Sequence, residues 1–341
     1  MSPEFTEFLQ SFSFGFLSMV LEGLPFILAG TIVSGFIDAY LPQSFLDRVL
    51  PKNAVRAVLI GGLLGLILPV CECAIVPVIR RLIQRGLPVS CALAYMLASP
   101  VVNPLVAAST WIAFPDKDPD ATIVFFNEVM TLSRLSLGYL TAILVGLVAI
   151  RLPASRILRD RVLRSIGRPL PQGAAMPSAA PGQGESRDHR STALPSGPDI
   201  RPVLAMRTAM SDCLDTAMYF FIGCAITTLF NNEVPRESIL PLAQNDWLAV
   251  PGLMFFAFVS SLCSTSDAFV AASLATFSAA SKLAFLVFGP MVDIKLVFMY
   301  SAVFRIRFVW LLVTSLFLLV GALCLVWGQI PWTSAFPNSI P

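Results

Sequence analysis

The sequence has a single histidine, His189, and it lies in a Pro-, Gly- and Ser-rich stretch rather than in an apolar one. Imidazole-based metal or acid–base chemistry inside the apolar segments is thereby excluded. No Walker-type Gly-x-x-x-x-Gly-Lys-Ser/Thr pattern occurs, which argues against coupling to ATP within this chain. HExxH and GxSxG are both absent, so a protease or hydrolase is not expected, and the chain reads as no enzyme. Charge is scarce: 13% of residues are Asp, Glu, Lys or Arg, against about 25% in a soluble domain. A formal net charge of +2 offers no basic surface for nucleic acid. No basic n-region precedes a short apolar core, so a cleaved signal peptide is not expected. The seven cysteines follow neither a disulfide framework nor a zinc-finger spacing, and nothing points to a cofactor.

Apolar residues fill the space left by charge. They make up 56% of the chain, the mean hydropathy is +0.77, and runs near or above 18 residues recur, the mark of a polytopic membrane protein. The runs are 12–39, 54–69, 74–84, 89–114 and 123–150, then 213–230, 247–262, 268–280, 283–304 and 308–327. Between the two sets, residues 151–207 hold ten arginines and four acids with no apolar period. This stretch reads as a disordered basic linker. The domains are therefore residues 1–150, the linker 151–207, and residues 208–341.

The two sets share landmarks in one order. "LEGLPFILAG" matches "LDTAMYFFIG", pairing Glu22 with Asp215. "LPVCEC" matches "SSLCST", pairing Cys71 with Cys263. "SPVVNPLV" matches "GPMVDIKLV", pairing Asn103 with Asp293, and Arg134 falls where Arg305 does. The arginines place the linker in the cytoplasm by the positive-inside rule, and the acidic "PDKDPD" (115–120) agrees from the opposite side. Sixteen and eleven helical residues reach about 24 and 17 Å, short of a core of about 30 Å. Residues 54–69 and 74–84 are thus expected to form a re-entrant hairpin with Cys71–Glu72–Cys73 at its tip. Residues 247–262 and 268–280 should form its counterpart from the other side, tipped by Cys263–Asp267. The expected fold is all-α: two inverted repeats, each of about three spanning helices plus a re-entrant hairpin, in eight to ten apolar segments. Such repeats place a solute site at the midplane between discontinuous helices.

"LPVCECAIVPVIRRLIQRGLPVSCALAYMLASPVVNPLV", "SLCSTSDAFVA" and "FGPMVDIKLVFMYSAVFR" together resemble the predicted permeases of the ArsP/YraQ type. The resemblance covers most of the chain outside the linker and the extreme termini. It implies a multi-pass permease of the bacterial inner (plasma) membrane, and some characterised relatives export trivalent organoarsenicals. The usual tip in those relatives is closer to Cys-Ser-Cys, and Glu72 stands here at the middle position.

Thiols suit soft, thiophilic species, and an acid at membrane depth is a functional candidate by default. The candidate solute-binding residues are Cys71, Glu72, Cys73, Asn103, Cys263, Asp267 and Asp293. Glu72, Asp267, Glu22 and Asp215 are candidates for proton coupling. The tips should approach within roughly 10–15 Å of each other around one site. Cys91, Cys213, Cys224 and Cys324 read as small apolar packers. The leading function is efflux or permeation of a small thiophilic solute. Alternatives are a divalent-metal (zinc-type) permease using Cys71, Glu72, Cys73 and Cys263, a membrane subunit of a transport complex, and an intramembrane thiol oxidoreductase. The expected partners are the lipid bilayer and a small-molecule or ionic substrate, with a second membrane subunit and a homo-oligomer both left open.

Overall fold

A computed structural model describes residues 3–40, 51, 53–67, 70–114, 126–165, 200–233 and 245–330. These residues are almost entirely helical, and among them the one β-type contact is an isolated bridge between Leu158 and Phe304. The first half contains α1 (Pro3–Tyr40), α2 (Ala54–Ile67), α3 (Glu72–Gln84), α4 (Val89–Ala98), α5 (Pro104–Ala113) and α6 (Phe126–Ile150). Two short helices follow, α7 (Ala154–Ile157) and α8 (Asp160–Ser165). The second half contains α9 (Ile200–Glu233), α10 (Asp246–Ser260), α11 (Asp267–Ser273), α12 (Ala279–Met291), α13 (Ile294–Val303) and α14 (Ile306–Gly328).

Among the described residues, five stretches are long and apolar enough to cross a bilayer: 6–37, 127–150, 212–231, 279–303 and 306–328. The chain is a multi-pass integral membrane protein. Outward faces carry large apolar side chains, such as Phe14 and Leu21 on α1, Leu214 and Met218 on α9, and Trp310 and Leu318 on α14. A helix that is apolar on its outside belongs in lipid, where its backbone is satisfied internally. The α4 and α12 helices lie at the centre, with nine of ten and eleven of thirteen residues buried.

The order of six helices is the same in both halves, and three interfaces recur. The α2–α4, α4–α6 and α2–α6 contacts have counterparts in α10–α12, α12–α14 and α10–α14. The long helices differ: α1 packs on α3, whereas α9 packs on α13. Close packing there requires glycine, because a Cβ on Gly30 would stand 2.7 Å from the Ala74 carbonyl oxygen and one on Gly223 would stand 2.7 Å from the Lys295 Cα.

Several boundaries differ from the sequence reading. The run 89–114 is two helices broken before Asn103, and 283–304 is likewise divided before Ile294. Prolines at 100, 104 and 290 flank these breaks. The leg expected at 268–280 ends at Ser273, and Ala279 begins the next helix. The α1 and α9 helices extend beyond the expected runs, and α1 continues through Pro25. Residues 151–165 differ from the linker reading most. Ile157, Leu158 and Val162 are buried, Arg159 donates its amide to Val303, and Arg305 donates its amide to Ile157. Residues 200–207 belong to α9. The rest of the expected linker, 166–199, and the acidic loop 115–120 lie outside the described residues.

Candidate functional site

Three helix ends converge between the halves. The α3 helix begins at Glu72, with Cys71 as its N-cap residue. Val70, just before the cap, is held by the Ser99 hydroxyl, which donates to its carbonyl at 3.0 Å. The α10 helix ends at Ser261, whose φ of 47° and ψ of 47° are left-handed, an uncommon conformation for a residue with a Cβ. Residues 263–267 then turn back, the Cys263 carbonyl accepting the amides of Ser266 and Asp267. The α13 helix begins after Asp293, whose Oδ1 accepts the Leu296 amide at 2.6 Å.

Glu72 and Lys295, 2% and 6% exposed, sit at the centre of this junction. The Lys295 ammonium donates to the Ser261 carbonyl at 2.9 Å and stands 3.4 Å from Asp293 and 3.7 Å from Glu72. One cation therefore ties together the ends of α3, α10 and α13. The other Glu72 oxygen accepts from the Ser264 hydroxyl at 3.1 Å, so the two tips are in direct contact. Behind the second tip, the fully buried Arg134 of α6 pairs with Asp267 at 2.7 Å and donates to the Ser264 carbonyl at 3.0 Å and to Thr110 at 2.7 Å. Arg134, Asp267, Ser264, Glu72, Lys295 and Asp293 thus form one polar chain across both halves. Charges held at membrane depth are tolerated when paired in this manner.

A cavity of about 20 Å³ opens beside this chain, lined by Cys71, Glu72, Cys73, Cys263, Glu22 and Lys295 together with the apolar Met19, Phe26 and Phe220. Cys71 and Cys263 are half-buried and Cys73 is buried, all three as free thiols. The junction thus gathers soft sulfur, hard carboxylate and one ammonium.

The remaining candidates stand apart from the cavity wall. Asp267 is engaged by Arg134. Asp293 and Asn103 cap α13 and α5, Asn103 accepting the Leu105 amide at 3.0 Å. Asp215, matched in sequence to the cavity residue Glu22, pairs instead with Arg80 at 3.2 Å and is half exposed. Arg305, matched to Arg134, lies by α7 and α8, donating to the Leu158 carbonyl and pairing with Asp160. Among the described residues no group of three or more His, Cys, Asp or Glu side chains is arranged to hold a metal ion. Lys295, Arg134, Ser261 and Ser264 were not site candidates from sequence. For the first two, a signal was present: a basic residue inside an apolar run is costly unless it is used.

Comparison with known proteins gives a family. The family model described as "Predicted permease" (ArsP_1) matches residues 8–329. The chain is 35% identical over 308 residues to the UPF0718 protein YcgR of Bacillus subtilis, covering 90% of this chain and 93% of that protein. It is 31% identical over 314 residues to the "Putative two-component membrane permease complex subunit" of Streptococcus mutans, covering 92% and 93%. The UPF0718 protein MJ0584 of Methanocaldococcus jannaschii matches at 30% over 91 residues, 27% of this chain and 24% of that protein. No solved structure matches the chain.

Proposed function

The chain belongs to the family of predicted permeases, and from that premise we propose that it is a secondary transporter for a small thiophilic solute, such as a trivalent organoarsenical or a sulfur compound. The observation that carries this reading is the meeting of Cys71, Cys73 and Cys263 around one cavity beside Glu72 and Lys295. Soft thiol ligands select thiophilic species, and a neighbouring carboxylate supplies a place for a proton to exchange as the solute leaves. The matching helix order and recurring interfaces support two inverted repeats whose short helices, α2–α3 and α10–α11, enter as re-entrant hairpins. In that arrangement residues 85–88 and the segment after Ile150 face the cytoplasm of a bacterial cell.

The cavity's 20 Å³ is room for about one water, so passage of a solute requires the halves to separate. Proteoliposome flux of a trivalent organoarsenical tests the reading, with and without a pH gradient. The Cys71→Ser/Cys73→Ser variant should abolish flux while membrane insertion and elution stay unchanged. Normal flux in that variant would return both thiols to a packing role.

A second reading is favoured by the name of the Streptococcus mutans relative, a subunit of a two-component permease complex. This chain would then supply the path and a second membrane protein would complete it. Flux by the purified chain alone opposes that reading. Flux that appears only when a co-purifying partner is added supports it.

A further inference from the structure

The three long or cavity-lining helices α1, α3 and α9 leave the cavity together and meet again at a buried ion pair. Arg81 of α3, 7% exposed, grips Asp212 of α9 with Nε at 2.7 Å and an Nη at 2.9 Å. Ser34 of α1 donates to the same carboxylate at 3.0 Å. Arg80 adds a contact to Asp212 at 3.9 Å and pairs with Asp215 at 3.2 Å. The pair stands at the same height on all three helices. Arg81 is nine residues from Glu72, Ser34 eight from Phe26 and Asp212 eight from Phe220, each about 12–14 Å along its helix from the cavity.

The helices between cavity and pair are built to bend. Pro77 lies inside α3, between Glu72 and Arg81, and Pro25 lies inside α1, between Glu22 and Ser34. Each proline lacks the N–H that would bond the carbonyl four residues back, which frees the carbonyls of Cys73 and Leu21, the former belonging to a cavity residue.

We propose that Arg81, Asp212 and Ser34 form a gate that closes the cavity at the Arg81 end, and that it opens when α9 parts from α3 and α1 about the two prolines. The gate goes beyond the solute reading, although its purpose rests on the cavity being the path. The pair draws on three helices at once, and two of them carry a proline that weakens a turn on the cavity side of the pair. Removing one partner cuts the tie between α3 and α9, which disfavours the closed arrangement and shifts the population to the open one.

The test is access to the native cavity thiols. The probe is the membrane-impermeant trimethylammonium methanethiosulfonate reagent, and modification of Cys71 and Cys263 is read separately by mass spectrometry of the full chain. Inside-out and right-side-out vesicles compare the two faces. Asp212→Asn should raise the labelling rate of Cys71 and Cys263 by about tenfold or more from the Arg81 face alone, as expected for loss of one buried partner. The exchanged pair Arg81→Asp/Asp212→Arg should return the rate toward that of the parent. If Asp212→Asn does not elute as a single species, Arg81→Lys takes its place, since it keeps the charge and loses the two-pronged grip. Unchanged labelling in a folded gate variant, or a rise from the opposite face alone, overturns the gate. No solute is needed, so normal flux in the Cys71/Cys73 double variant would defeat the solute reading and leave the gate standing.

Discussion

Lys295→Met removes the one ammonium between Glu72 and Asp293 while keeping most of the stem that packs against Gly223. Truncating one partner of a buried pair costs about 3–5 kcal/mol, because the remaining charge is left without compensation. Here the lower end applies. The carboxylate distances of 3.4 and 3.7 Å exceed the roughly 2.7–2.9 Å of a tight charged hydrogen bond, and the shortest contact is to the Ser261 carbonyl at 2.9 Å. Asp293 keeps the Leu296 amide on Oδ1 while its buried Oδ2 has no hydrogen-bond donor, and Glu72 keeps the Ser264 hydroxyl. Both carboxylates therefore feel the loss. A destabilisation of about 3 kcal/mol is expected in reversible denaturant unfolding in detergent micelles. Adding Glu72→Gln should recover at least about 1 kcal/mol, since a neutral amide no longer needs a counter-ion. A Lys295→Met protein within about 0.5 kcal/mol of the parent, with no gain from Glu72→Gln, would refute the claim that this lysine holds the junction together.

Three further outcomes are expected. Gly30→Val should destabilise by about 1–3 kcal/mol or block expression, because its Cβ would meet backbone atoms of Ala74 at 2.7 and 2.9 Å with no side chain able to yield; thermal unfolding of the purified variant measures this. Deleting residues within 166–199, a stretch whose sequence has no apolar period, should leave the melting temperature unchanged. The pair Ile157→Ala/Leu158→Ala should lower it through loss of two buried apolar side chains worth about 2–5 kcal/mol each at most.

Much of the scaffold is legible because hydropathy has a single dominant meaning in a membrane chain. The run at 308–327 becomes α14 with small shifts at its ends, and the described part of 123–150 is α6. The break before Asn103 is legible because Pro-x-x-Asn-Pro supplies both the interruption and the next cap. The end of α11 at Ser273 is not, since "LATFSAAS" carries no Gly or Pro to announce a turn. Residues 151–165 mislead for the opposite reason. Their arginines and prolines dominate the composition, while three of their apolar side chains are buried and their backbone is tied to Val303, Phe304 and Arg305. The thiols and Glu72 could be nominated from one short stretch. The Arg134–Asp267 pair is separated by more than a hundred residues, and only the fold brings it together.

Sequence matching between the halves finds positions, but it does not find roles. Asn103 and Asp293 both cap a broken helix, so their correspondence survives in backbone geometry. Glu22 and Asp215 correspond in order, yet one lines the cavity and the other pairs with Arg80 near the Arg81 end. Arg134 and Arg305 part similarly, one buried against Asp267 at the start of α11 and the other beside α8. A cavity between two related halves needs unlike walls if it is to bind a solute in one orientation. It also needs unlike ends if one end is to open while the other stays shut. The first half brings the paired thiols Cys71 and Cys73 and the carboxylate Glu72; the second brings Cys263 and the ammonium of Lys295. Under the proposed function, the charged residues that differ between the halves are the ones expected to set selectivity and direction, while the capping residues that match hold the helix breaks.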